Sequence, residues 1–209
     1  MDRRIVDTAR ERDRLLELGY HVRMRREAER EEMREWLMER TINQLENALR
    51  TLMTNPSDRR VIVSGWNVAE LDMMALPPCH MDYRFVAFEN PRVLNVVMTI
   101  RSWDLFLGGP ANIASTAIFL AIMARLAGFE PGIITIQATN AHIYEDHFDQ
   151  VRELLGREHF AAPSLSLSEN IRPIGHMEDV EGVFTRIEPS DIALVGYESH
   201  GPISAPMAA

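Results

Sequence analysis

The stretch from Asn112 to Leu126 constrains this chain more than any other. Ile113, Ala117, Leu120, Ala121 and Ala124 recur through it, and Ser115, Thr116 and Arg125 are its few polar interruptions. A helix that is apolar nearly all round has to be buried by other elements. Those interruptions keep the run Ile113 to Ala127 short of a membrane span. Gly128 follows as a C-terminal cap, since glycine takes the left-handed conformation without steric cost. Strands to cover the helix lie on both sides. Met81 to Phe88 and Val93 to Ile100 alternate as strands, and Glu89-Asn90-Pro91-Arg92 joins them as an antiparallel pair. Ile133 to Gln137 reads as a further buried strand, and Val61 to Ser64 as a short β-branched one. The expected fold class is α/β (α+β), with this helix central and buried.

The remaining chain divides in two. Residues 1–40 are dense in Arg and Glu, with opposite charges three and four residues apart, and read as one or two exposed helices with Gly19 as a possible break. Leu15, Leu16, Leu18, Met33, Trp36 and Leu37 offer a narrow stripe, which suits either a solvated helix or a partner-binding arm. Residues 41–209 form the second region. Ile42, Leu45, Leu49 and Leu52 share a helical face, and Asn67 to Ala75 reads as a loop or short helix. Asp146 to Gly156 is amphipathic, Pro163 to Ser168 alternates, His176 to Arg186 suits a helix, and Ile192 to Tyr197 a last strand. The tail Gly201 to Ala209 has no regular pattern.

The totals narrow the function. Net charge is −9, which argues against a broad nucleic-acid surface. Apolar residues make up 46%, enough for a sizeable core. All 22 basic residues are arginine, a fixed planar cation suited to phosphate, although a GC-rich genome gives the same bias. The single cysteine cannot form an internal disulfide, and Met1-Asp2-Arg3-Arg4 leads into charge rather than a signal-type apolar run. The expectation is a cytoplasmic chain with no membrane or nucleic-acid partner.

That cysteine, Cys79, follows Pro77-Pro78 and precedes His80 at the mouth of a strand. A free cysteine is usually a small buried hydrophobe. A thiol held at a rigid strand mouth is also a nucleophile candidate, because only the thiolate attacks and a neighbouring cation favours it. Arg101 with Ser102, and Arg59 with Arg60, suit a phosphate; adjacent arginines at a strand start also simply meet solvent. Asn112 near a helix start suits an N-cap. His142 and His147 have the wrong spacing for one metal-binding helix face, and no cysteine pair exists, so no metal is expected. Gly108-Gly109-Pro110 lacks the lysine of a phosphate loop. The residues alone give a cysteine nucleophile beside an anion site.

Asp58 to Asn67, Met73 to His80, Arg101 to Gly108, Asn112 to Ser115, His142-Ile143-Tyr144 and Ala205-Pro206 occur in the order found in thymidylate synthases, and the region 41–209 resembles that family. Phage deoxypyrimidine-monophosphate hydroxymethylases are relatives. The resemblance implies a large twisted mixed sheet packed across a dimer interface. It implies that Cys79 adds to C6 of dUMP, and that C5 then takes a one-carbon unit from the co-substrate 5,10-methylenetetrahydrofolate. Arg101 and Ser102 would hold the phosphate, with Arg101 also beside Cys79. Arg59 and Arg60 would reach it from the partner of a homodimer with shared sites. His80 and Asn112 would meet the base, and His142 and Tyr144 the sugar 3′-hydroxyl. Asp104, counted with Cys79 and Arg101 as catalytic, would contact folate together with Gly108 and, in the tail, Ala208.

The departures from the family pattern bear on the last step. Residues 1–40 show neither its phosphate-loop arginine nor its proton-managing glutamate, Asn140 stands for an aspartate, and Ala111 for a phenylalanine. Overall motif similarity favours the methyl product, dTMP; the alternative is that a trimmed folate wall and Ala111 admit water and give the hydroxymethyl product. dUMP is favoured over dCMP because Asn112 is an amide. A catalytically weak nucleotide-binding homologue is the reading from another class, and a phage origin suits the shortened N-terminal region.

Overall fold

The computed structural model describes residues 2–6, 8–27 and 34–207, in two compact units, Met1–Asn43 and Gln44–Ala209.

In the first unit, β1 (Asp2–Val6), α1 (Ala9–Glu17), β2 (His21–Glu27) and β3 (Arg34–Arg40) make an antiparallel sheet of order β1-β3-β2 with one helix. This corrects the expectation of one or two helices over 1–40. Charges spaced for a helix also pair across strands. Arg3 lies 2.7 Å from Glu39, directly opposite it, and Asp2 accepts the Tyr20 hydroxyl. Val6, Leu15, Tyr20 and Met38 are all buried together, which a lone helix cannot achieve. Gly19 is indeed the break after α1, at φ +80. Met33 and the Trp36 side chain lie outside the described residues.

In the second unit, α2 (Gln44–Thr54) precedes β4 (Ile62–Ser64), β5 (His80–Glu89) and β6 (Arg92–Ile100). After the two-residue β7 (Trp103–Asp104) come α3 (Gly109–Ala127), β8 (Glu130–Ala138), β9 (Ala141–His142), α4 (Phe148–Leu155), β10 (Ser164–Leu167) and β11 (Ile192–Val195). The main sheet runs β4-β5-β6-β8; its first three strands are antiparallel and β8 is parallel to β6. The expected hairpin is present, and α3 is the crossover that a parallel pair requires. By length and composition α3 qualifies as a membrane span, yet Leu120, Met123, Ala124 and Leu126 pack with Phe85, Leu94 and Val96 of the sheet and Leu49 and Leu52 of α2. Gly128, at φ +73, caps it as expected. β8 approaches β6 so closely at Gly132 that a Cβ there would lie 2.1 Å from Asn95 Oδ1; that oxygen accepts the Ile133 N–H at 2.8 Å.

The helix expected over 176–186 is instead two single 3-10 turns, Met177–Val180 and Val183–Arg186. Gly182 between them sits at φ +68, which breaks the helical ladder.

Leu94 is fully buried. Leu94→Ala is expected to cost about 2–5 kcal/mol, by lost transfer energy and the cavity left behind. Leu155→Ala, at a position 80% exposed, should stay within about 0.5 kcal/mol. Urea unfolding midpoints check both.

Candidate active site

The start of β5 and the end of β6 meet at one corner of the sheet, where His80 pairs with Ile100. The Arg101 N–H donates to the Cys79 carbonyl at 3.0 Å. The Arg101 guanidinium reaches back over the same turn, donating to the carbonyls of Pro77 at 2.6 Å and Pro78 at 3.1 Å. Proline offers an acceptor and no donor, so a cationic fork is the natural partner for two in succession. One arginine thereby fixes the backbone on which the half-buried Cys79 sits.

Asn112 is not the helix N-cap. α3 begins three residues earlier, with Gly108 as its cap and Pro110 in its first turn, so Asn112 lies inside the helix. Its side chain hydrogen-bonds His80. Burial pushes the His80 imidazole below its ordinary pKa, and the Asn112 bond partly opposes this. His80 Nδ1 also lies 3.2 Å from the Tyr83 hydroxyl. Tyr83 is pushed up by burial and hydrogen-bonds Thr116, whose buried hydroxyl donates to the Asn112 carbonyl at 2.7 Å. This polar cluster joins β5 to the first turns of α3.

A second group adjoins it. Asp104 Oδ1 accepts the N–H groups of Phe106 at 3.0 Å and Leu107 at 3.1 Å. Gly108 packs so tightly here that a Cβ would lie 3.1 Å from both Asn112 Oδ1 and the Asp104 carbonyl. β7 and β9 form a parallel bridge that sets Asp104 opposite His142. Asn140 Oδ1 lies 2.9 Å from His142 Nδ1, and the His142 and Tyr144 rings meet edge-on at 5.0 Å. Ser102 is half-buried in the turn between Arg101 and β7.

Cys79, His80, Arg101, Ser102, Asp104, Gly108, Asn112, His142 and Tyr144 therefore lie on linked segments just beyond the carboxyl ends of β6 and β8, the usual place for a ligand crevice in a parallel pair. Arg59 and Arg60 do not join them. The Phe85 N–H bonds the Val61 carbonyl, so Arg60 falls near Val86, roughly 20 Å along β5 from His80 at about 3.3 Å per residue. Arg60 pairs with Asp58 at 2.7 Å, and the Arg60 side chain and backbone N–H hold that carboxyl down at about 2. Ala208 lies outside the described residues.

Tyr83, Thr116 and His147 did not stand out as site residues in the sequence, and Asn140 drew notice only as a departure. A strand alternates with period two, so residues three apart should face opposite ways. The register shifts between His80 and Asp82, and this irregularity lets His80 and Tyr83 meet.

A family model for thymidylate synthase matches residues 6–209. The chain belongs to the thymidylate synthase family. Thymidylate synthase of Pseudomonas putida is 40% identical over 173 residues, 82% of this chain and 54% of that protein. The Pseudomonas syringae enzyme is 35% identical over 194 residues, 92% of this chain and 60% of that protein. The chain thus spans little more than half the length of these relatives. The crystal structure of thymidylate synthase from T4 phage superposes with a TM-score of 0.71 at 37% identity, covering 80% of this chain and 59% of that one. The family match begins well before residue 41, inside the first strand of the N-terminal unit.

Because burial disfavours the imidazolium, the His80 midpoint should fall below the ordinary value near 6.5 in an NMR titration. The unfolded chain then binds the proton more readily. The resulting loss of stability is nil well above pH 6.5, grows as pH falls toward the folded midpoint, and is constant below it. A His80 midpoint at or above 6.5 would contradict the buried ring.

Proposed function

We propose that this chain transfers a one-carbon unit from 5,10-methylenetetrahydrofolate to C5 of dUMP, giving dTMP. The observation that carries the reading is the Arg101 clamp on the Pro77-Pro78-Cys79 turn, at the corner that also holds Asn112, Asp104 and His142. Membership of the family and the likeness to the T4 enzyme support it.

In this reading the Cys79 thiolate forms a bond to C6 of the pyrimidine. The C5–C6 π electrons shift to C5 and O4, and C5 becomes the nucleophile. Asn112 reads the base edge, its amide donating to O4 and its oxygen accepting from N3–H. The His80–Tyr83–Thr116 cluster keeps that amide from rotating. Arg101 spends Nε and Nη2 on the turn and keeps Nη1 for the nucleotide phosphate, with Ser102 beside it. His142, oriented by Asn140, and Tyr144 take the sugar hydroxyl. Asp104 suits the folate, since Oδ1 is engaged by the Phe106 and Leu107 N–H groups and Oδ2 remains for a ligand N–H; Gly108 lies beside it. When bound, the folate would supply the carbon unit and the hydride that reduces it, leaving as dihydrofolate; C5 gives up its proton to solvent, and breaking of the C6–Sγ bond restores Cys79 and releases dTMP.

We also propose a homodimer. The sheet face away from α3 exposes Ile62, Val86, Phe88 and Ile133. A polar ladder crosses it, with Arg84 donating to Thr99 and Gln137, each at 2.6 Å. Packing two such faces brings Arg59 and Arg60 of one copy to the other's Cys79, the corner their own chain cannot reach. The compartment we assign is the cytoplasm. A second reading rests on Ala111, exposed at the start of α3. A small side chain there admits water to the C5 methylene, giving 5-hydroxymethyl-dUMP, or its dCMP counterpart.

Incubation with dUMP and methylenetetrahydrofolate, followed by mass analysis, should give a methyl product with dihydrofolate. A hydroxymethyl product with tetrahydrofolate selects the second reading. Neither product, with dCMP also inert, leaves a binding-only homologue. Cys79→Ser should abolish turnover while changing dUMP affinity by less than about 1.4 kcal/mol, a factor of ten. Asn112→Asp should move the dUMP-to-dCMP preference by roughly 10- to 100-fold toward dCMP, because the carboxyl group no longer donates to O4. An unchanged ratio removes Asn112 from base recognition.

A further inference from the structure

We propose that His147 is a positioning residue that seats the C-terminal tail against the active-site wall. The proposal deepens the reading above, and its first two tests do not depend on that reading.

His147 is fully buried although Glu145, Asp146 and Phe148 around it are exposed. Its Nε2 lies 2.7 Å from the Pro206 carbonyl. A carbonyl oxygen only accepts, so Nε2 carries a proton and donates it to Pro206. Nδ1 is buried and has no partner. A histidine kept for the core alone would be expected to satisfy both nitrogens. Here one is left orphaned, and the only hydrogen bond the ring makes, among the described residues, goes to the tail. Asp146 Oδ1 stands 3.9 Å from Nε2, too far to replace that bond.

The ring's other contacts say what the tail is joined to. Phe106 lies at 5.4 Å and Tyr144 at 5.5 Å between ring centroids. Phe106 belongs to the turn that engages Asp104, and Tyr144 follows His142. His147 therefore links the tail to the turn after Asp104 and to the segment that carries His142 and Tyr144. The tail is tied once more upstream, where Arg157 donates to the Gly201 carbonyl at 2.6 Å and His200 Nε2 meets the Glu158 carbonyl at 2.8 Å. Among the described residues, the bond to His147 is the only hydrogen bond made by residues 202–207.

The first test is on the wild-type chain. Long-range ¹H–¹⁵N NMR should show a slowly exchanging Nε2–H on His147; a ring with no proton on Nε2, or a freely exchanging one, overturns the proposal. The second is release of the C-terminal residues by carboxypeptidase. His147→Leu should speed release at least tenfold, and His147→Gln, which keeps an N–H donor, should stay within threefold of wild type. Equal rates for wild type and His147→Leu overturn it. The third is kinetic. His147→Leu should raise KM for methylenetetrahydrofolate about tenfold with dUMP affinity changed less than twofold, and His147→Gln should restore it. A loosened tail with unchanged KM removes the role toward the co-substrate. If the wild type makes no product, the functional reading fails, while the NMR and release tests still decide whether His147 seats the tail.

Discussion

The Arg101 fork on the carbonyls of Pro77 and Pro78 is the contact on which the crevice depends. Two prolines stiffen the approach to Cys79 but donate nothing, so the turn has acceptors to satisfy and no donors of its own to use. Arg101 supplies them from the end of the neighbouring strand, two from its side chain and one from its backbone. Because β6 leads through the short β7 into α3 and then β8, fixing the end of β6 also constrains where Asp104, Gly108 and Asn112 stand.

The rest of the crevice is assembled by similar economies. β7 and β9 are two residues each, yet their single bridge carries Asp104 to His142. Asn112 serves twice, its carbonyl taking the Thr116 hydroxyl and its side chain meeting His80. Polar groups at this depth are costly unless paired, and pairing them in one cluster gives these side chains one arrangement rather than several.

What was legible in the sequence was whatever followed a simple period. The hairpin of β5 and β6, the apolar α3 and its Gly128 cap follow from alternation, helical spacing and glycine chemistry. The order of Cys79, Arg101, Asn112 and His142 motifs gave the family. Three things were hidden. The Arg- and Glu-rich start has charges that satisfy a helix or a sheet equally, and only the burial of Val6, Leu15, Tyr20 and Met38 decides between them. The register shift after His80 breaks the alternation that would otherwise separate it from Tyr83. The distance of Arg59 and Arg60 from Cys79 depends on strand register, which no local pattern states. His147 was hidden differently: its meaning lies in a contact with residue 206, far along the chain.

The ties from Arg157 and His147 are both to backbone carbonyls of the tail, of Gly201 and of Pro206. Carbonyls are the same in every residue, so neither bond asks for a particular side chain at the four positions between them, of which Ile203 and Ala205 are partly buried. The number of positions is not free. One inserted residue adds about 3.3 Å of chain, enough to carry Pro206 past His147 altogether. Across relatives of this chain, the spacer's length should be more strictly kept than its letters.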